Sequence, residues 1–94
     1  MMLEKDVERK VCDYAKVRRM LSYKFSSPAR AAVPDRLFVT KQGIMFFIEF
    51  KRPGAKATPA QQREHLKLMS QNVRVFVIDD VDKGKAVIDA MEGG

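Results

Sequence analysis

The chain has 94 residues, 46% of them hydrophobic, and a formal net charge of +6. One cysteine excludes an internal disulfide, and one cysteine with one histidine excludes a Cys/His zinc site. No apolar run is long enough to cross a bilayer, and no signal-peptide pattern precedes the first predicted helix.

These limits leave a single domain over residues 1–94, with Cys12 as a small apolar packing residue in a reducing cytoplasm. A positive balance of this size favours polyanionic partners, nucleic acid above all. Its bland alternative is ordinary solubility.

Leu3, Val7, Val11, Tyr14, Val17 and Leu21 recur at steps of three and four. That period predicts an amphipathic helix of about 18 to 20 residues, with Lys5, Arg9, Lys16 and Arg19 on its opposite side. Tyr23-Lys24-Phe25 predicts a short edge strand, and Ser26 to Val33 a loop. Leu37 to Thr40 reads as a strand and Gln42-Gly43 as a tight two-residue turn. Ile44 to Phe50 is an almost unbroken apolar run, as in a strand covered on both faces. Arg52 to Ala57 is a basic loop. Thr58-Pro59-Ala60-Gln61 then opens a second helix, to about Ser70, with Thr58 as N-cap and Gln61 completing a capping box. Val73 to Ile78 predicts a buried strand parallel to the one before it, because a helix separates them. Asp82 predicts the cap of a last short helix with Ala86, Val87, Ala90 and Met91 inward, and Gly93-Gly94 should fray. The order implies an α/β fold, one mixed sheet with helices on its faces.

The chemistry gathers at the open end of the hairpin. A two-residue turn makes Leu37 face Ile48, Arg36 face Glu49 and Asp35 face Phe50, so Asp35 and Glu49 become neighbours. Side chains alternate along a strand, so Glu49 and Lys51 share a face. Taken singly, each has a bland reading. An Asp after a Pro is commonly a turn residue, and Glu49 with Lys51 could be an ion pair at the sheet edge. Together, two converging carboxylates repel unless a cation lies between them. Their hard oxygens suit Mg²⁺ or Mn²⁺. Glu8, or Glu4 one turn earlier, could point at the hairpin end and complete the metal shell. Otherwise it is a solvated helix carboxylate. Gln61 either caps its own helix or faces the sheet near Lys51, and the two are compatible. His65 reads as a partly buried packing residue. Lys24, Arg30, Arg36, Arg52, Lys56 and Arg63 surround the site in sequence and could hold a phosphate backbone, though each alone reads as a solvated charge.

The residues Glu8, Lys24-Phe25, Ser27-Pro28, Val33-Pro34-Asp35-Arg36, Glu49-Phe50-Lys51 and Pro59-Ala60-Gln61 resemble, in order, the PD-(D/E)xK nuclease signature. The closer resemblance is to its virus-type replication-repair branch, the VRR-NUC domain. Ala32 stands where that pattern has Gly, and Gln71 where a Gly often ends the second helix. The resemblance implies a restriction-endonuclease-like mixed central sheet flanked by helices. It implies Mg²⁺- or Mn²⁺-dependent hydrolysis of DNA phosphodiesters in a bacterial or phage-infected cell. Short stand-alone members are similar to Holliday junction resolvases, which implies a homodimer on four-way junctions in recombination and repair. On this reading Asp35, Glu49 and the Phe50 carbonyl hold the metal, and Glu8 joins directly or through water. Lys51 positions the attacking water or offsets charge, and Gln61 orients Lys51 or the phosphate. The competing expectation is a non-catalytic DNA-binding module with a degenerate nuclease fold, which would not require Asp35, Glu49 and Lys51 together.

Overall fold

The structure, a computed structural model, describes residues 1–93. Its elements run α1 (Glu4–Val17), β1 (Leu21–Lys24), β2 (Arg36–Val39), β3 (Met45–Phe50), α2 (Pro59–Ser70), β4 (Arg74–Ile78) and α3 (Val81–Gly93). Gly93 closes α3 rather than fraying from it, and Gly94 lies outside the described residues.

Helix α1 begins where Asp6 Oδ2 accepts the Leu3 N–H at 2.8 Å. It ends four residues before Leu21, which belongs to β1 instead of the helix. Arg19 turns into the left-handed region at φ 59°. The Arg19 N–H then reaches the Lys16 carbonyl and the Met20 N–H the Ala15 carbonyl, the paired bonds of a Schellman stop. Buried Met20 follows Ala15 into the core. The apolar period ran on because a helix stripe and a following strand both need apolar residues.

The four strands form one mixed sheet in the order β1-β2-β3-β4. The first three pair antiparallel, and β3 pairs parallel with β4 across the α2 connection. The hairpin register differs by one residue from the expected one: Arg36 faces Ile48 and Leu37 faces Phe47. The loop holds three residues rather than two. Thr40 and Ile44 close it through the Thr40 N–H to Ile44 carbonyl bond, and the Gly43 N–H returns to the Thr40 carbonyl. Gly43 at φ 87° takes the left-handed position that ends such a loop.

Helix α2 starts as expected, with the Gln61 N–H donated to Thr58 Oγ1 and the Thr58 N–H to Gln61 Oε1. Its stop is Asn72 at φ 65°, one residue past Gln71. Asp80, not Asp82, caps α3, because its Oδ2 accepts the Lys83 N–H at 2.9 Å. Val87 and Met91 pack against the core as expected, but the fully inward positions are Gly84 and Ile88, and Ala86 and Ala90 are exposed. The core lies between α1, α3 and one face of the sheet, built from Val7, Val11, Phe38, Phe46, Ile48, Phe50 and Ile88. Phe38 stacks on Phe46 with centroids 5.2 Å apart. Cys12 packs half-buried against this core, and burial pushes its thiol above the ordinary range.

Candidate active site

Pro34 is buried and has no N–H, so the β2–β3 ladder cannot continue through it. Past the end of that ladder Asp35 supplies acceptors. Its Oδ2 accepts the Phe50 N–H at 2.8 Å, and its carbonyl accepts the Phe25 N–H at 2.8 Å. The turn-like role and the site role therefore coexist in one residue. One residue before the paired register, Asp35 brings its carboxyl within interaction distance of Glu49. The three-residue loop thus brings the two carboxylates into closer opposition than a two-residue turn would.

Glu49 is only 2% exposed. Its carboxyl is pushed up to about 7, first by burial and then by the charge of Asp35, with Lys51 partly offsetting both. Lys51 Nζ lies 3.7 Å from Glu49 Oε2. Gln61 Nε2 donates to the same oxygen at 3.1 Å, so Gln61 both caps α2 and reaches the sheet. Sequence reasoning missed the fifth member. His65 Nε2 faces Glu49 Oε1 at 3.9 Å, and His65 is 5% exposed. Burial, then the charge of Lys51, holds its imidazole below the ordinary value. Neither Glu49 Oε1 nor His65 Nε2 has a hydrogen-bond partner among the described residues. The available signal was spacing: His65 follows Gln61 by four residues, which places both on one helix face.

Glu8 goes elsewhere. Arg36 shares the sheet face of Phe38, opposite to that of Asp35. It donates from Nε to Glu8 Oε2 at 2.6 Å, and Lys24 Nζ adds a contact of 3.1 Å. The carboxylate, Lys5, Arg9, Cys12 and both cations line an open hollow of about 340 Å³. Burial raises the Glu8 pKa, but the bonds from Arg36 and Lys24 outweigh it and hold the carboxyl below its ordinary value. Glu4, by contrast, contributes charge that bears on Glu49. No three His, Cys, Asp or Glu side chains among the described residues converge as a metal-ligand set. Asp35 and Glu49 together could hold one hard cation. Mg²⁺ commonly takes one or two carboxylates and fills its shell with water and substrate phosphate.

The basic residues also divide. Arg30 is paired with Glu64 at 3.1 Å, and Lys24 and Arg36 with Glu8. Arg52, Lys56 and Arg63 are exposed and make no ion pair with another described residue. In the loop before Pro34, Ala32 takes φ 68°, the left-handed region that glycine enters without strain. That accounts physically for a glycine preference at this position.

A mixed sheet flanked by helices, with Pro34-Asp35 and Glu49-Phe50-Lys51 converging at the end of a hairpin, defines the PD-(D/E)xK class of nuclease folds. A solved structure described as "VRR_NUC domain" superposes with a TM-score of 0.84, covering 92% of this chain and 94% of that one at 26% identity. A phage protein named "Putative nuclease p44", from Acyrthosiphon pisum secondary endosymbiont phage 1, is 47% identical over 62 residues, or 66% of this chain and 67% of that protein. No family model matches the chain. The chain belongs to the VRR-NUC nuclease family.

Proposed function

We propose that this chain is a Mg²⁺- or Mn²⁺-dependent endodeoxyribonuclease that acts as a homodimer on branched DNA, the four-way junction first among its substrates. The observation that carries the metal reading is Glu49. A carboxylate 2% exposed and set against a second carboxylate is stabilised by a cation and destabilised without one. The donor set fits: Asp35 and Glu49 offer hard anionic oxygens, and the Phe50 carbonyl extends the same strand end.

Bound there, a divalent cation supplies Lewis-acid stabilisation of the scissile phosphate and lowers the pKa of a bound water. Lys51 places a positive charge beside the carboxylates, where it offsets negative charge developing on the phosphate or holds the attacking water. Asp35 keeps the strand end closed through the Phe50 N–H, so its carboxylate stays aligned with Glu49. Gln61 anchors Glu49 from α2. Arg52, Lys56 and Arg63 are the exposed cations suited to bind backbone phosphates around the site. Glu8 enters as the anchor of Arg36 and Lys24. The setting is the cytoplasm of a bacterial or phage-infected cell. Among the described residues no helix is long and apolar enough to cross a membrane.

Two considerations support the dimer. One chain carries one such site, whereas symmetric cutting of a junction needs two related by a two-fold axis. Helix α2 lies chiefly over β4 and leaves the cross-strand rows Leu21–Val39–Met45 and Tyr23–Leu37–Phe47 on an open sheet face. There Leu21, Tyr23 and Met45 are 56%, 53% and 53% exposed. A second copy would cover them.

The test is cleavage of linear duplex, single-stranded, flap and four-way-junction DNA with Mg²⁺, Mn²⁺ or chelator. Metal-dependent cutting with junction preference is expected. No cutting of any substrate overturns the nuclease reading, and equal cutting of all overturns the junction reading. Light scattering of the eluting protein should give twice the chain mass. A monomer overturns the dimer.

A further inference from the structure

His65 occupies the buried position of α2 that a leucine would fill if packing were the only requirement. Its polar atom is not turned toward solvent. Nε2 points at Glu49 Oε1, 3.9 Å away, and both atoms are buried without a partner among the described residues. Two unpaired buried polar groups facing each other are unfavourable for folding. They persist in native structures chiefly where the site uses them. The gap is about 1 Å longer than an N–H···O bond, within reach of a small side-chain rotation.

The neighbouring geometry specifies what closing that gap would do. Gln61 already donates to Glu49 Oε2 at 3.1 Å from one helical turn earlier. With its proton on Nε2, His65 donates to Oε1, and α2 then holds both oxygens of one carboxylate. The clamp comes from residues i and i+4 of a helix whose start is doubly capped by Thr58 and Gln61. His65 does not complete a set of three metal-ligating side chains, so its place is behind Glu49 rather than on a cation.

We propose that His65 is a positioning residue: with Gln61 it clamps the Glu49 carboxylate from α2 and fixes its plane relative to Asp35 for divalent-cation binding. This rests on the reading of Asp35 and Glu49 as the cation-holding pair. Partners of this kind typically change metal affinity on the order of 10- to 100-fold when removed. A residue that only packs would not.

The experiment titrates Mn²⁺ into the full chain without DNA and reads free Mn²⁺ by paramagnetic resonance. Folding of each variant is checked by circular dichroism. His65→Leu should weaken Mn²⁺ binding by about 10- to 100-fold. His65→Gln, which keeps a donor of similar reach, should recover most of it, and the shorter His65→Asn should not. In cleavage assays His65→Leu should raise the Mn²⁺ concentration needed for half-maximal rate and leave the KM for DNA unchanged. If His65→Leu fails to fold, the Gln and Asn pair carries the comparison. Leu or Asn variants that bind Mn²⁺ like the native chain overturn the proposal. If Glu49→Gln still loses Mn²⁺ in that case, the metal reading survives without it. If Glu49→Gln binds Mn²⁺ unchanged, the metal reading and the clamp fall together.

Discussion

On one face of the sheet, Phe46, Ile48 and Phe50 pack with Val7, Val11 and Ile88 from α1 and α3, all fully buried. On the other, the alternate residues of the same strand include Glu49, which meets Gln61 and His65 of α2 and has Lys51 beside it. The first face satisfies itself with apolar contact and needs nothing further. The second leaves a buried carboxylate raised to about 7, an unpartnered oxygen and an unpartnered imidazole nitrogen. A single β-strand thus serves both, because alternation sends every second residue to the opposite side. Stability and chemistry are separated by the thickness of a sheet, so they should be separable by mutation.

The largest expected effect is on the second face. Asp35→Ala, Glu49→Ala or Lys51→Ala should lower the cleavage rate by about 10²- to 10³-fold or more while DNA binding persists. The melting temperature should hold for Lys51→Ala, should fall for Asp35→Ala, which leaves the Phe50 N–H without its acceptor, and for Glu49→Gln without metal should rise, since a buried charge and its repulsion with Asp35 are gone. A mutant that loses cutting only by unfolding would break the comparison. On the first face, Phe38→Ala should destabilise by about 3–5 kcal/mol, measured by urea unfolding. The fraction still folded should cut at the native rate. Gly84 is a finer probe, since a Cβ there would meet the Val11 side chain. Gly84→Ala should cost about 1–3 kcal/mol through overpacking.

Two smaller effects sharpen the boundary between the faces. Ala32→Gly should relieve left-handed strain and stabilise by about 1 kcal/mol or less, after the added flexibility of the unfolded chain. The Glu8 carboxyl is held below its ordinary value by Arg36 and Lys24 against the opposing effect of burial. Its contribution is therefore present above the unfolded value and lost as pH falls through the lower folded one. Glu8→Gln should be less stable than the native chain near pH 7, by about 1 kcal/mol or less given solvent screening. The difference should vanish in acid, and a thermal melt at several pH values measures both.

Much of this is legible in the sequence. Thr58-Pro59-Ala60-Gln61 announces a capped helix, and the α2 start has that form. The alternation in Ile48-Glu49-Phe50-Lys51 announces which side chains share a face. The approach of Asp35 to Glu49 followed from any short turn at Gly43. These features depend on residues close in sequence, and elementary sterics and hydrogen bonding act on them directly.

Only the tertiary structure decided the rest. The exact register turned on Gly43 closing a three-residue loop, which a Gln-Gly pair does not reveal. The end of α1 turned on Arg19 entering the left-handed region, a choice made by Met20 reaching the core. Glu8 found Arg36 because both lie on the α1 side of the sheet, a matter of how one helix is rotated against one strand. His65 met Glu49 for the same kind of reason. Helix rotation and strand register are settled by the packing of all elements at once. A residue's partner across the fold is therefore not written in its own neighbourhood.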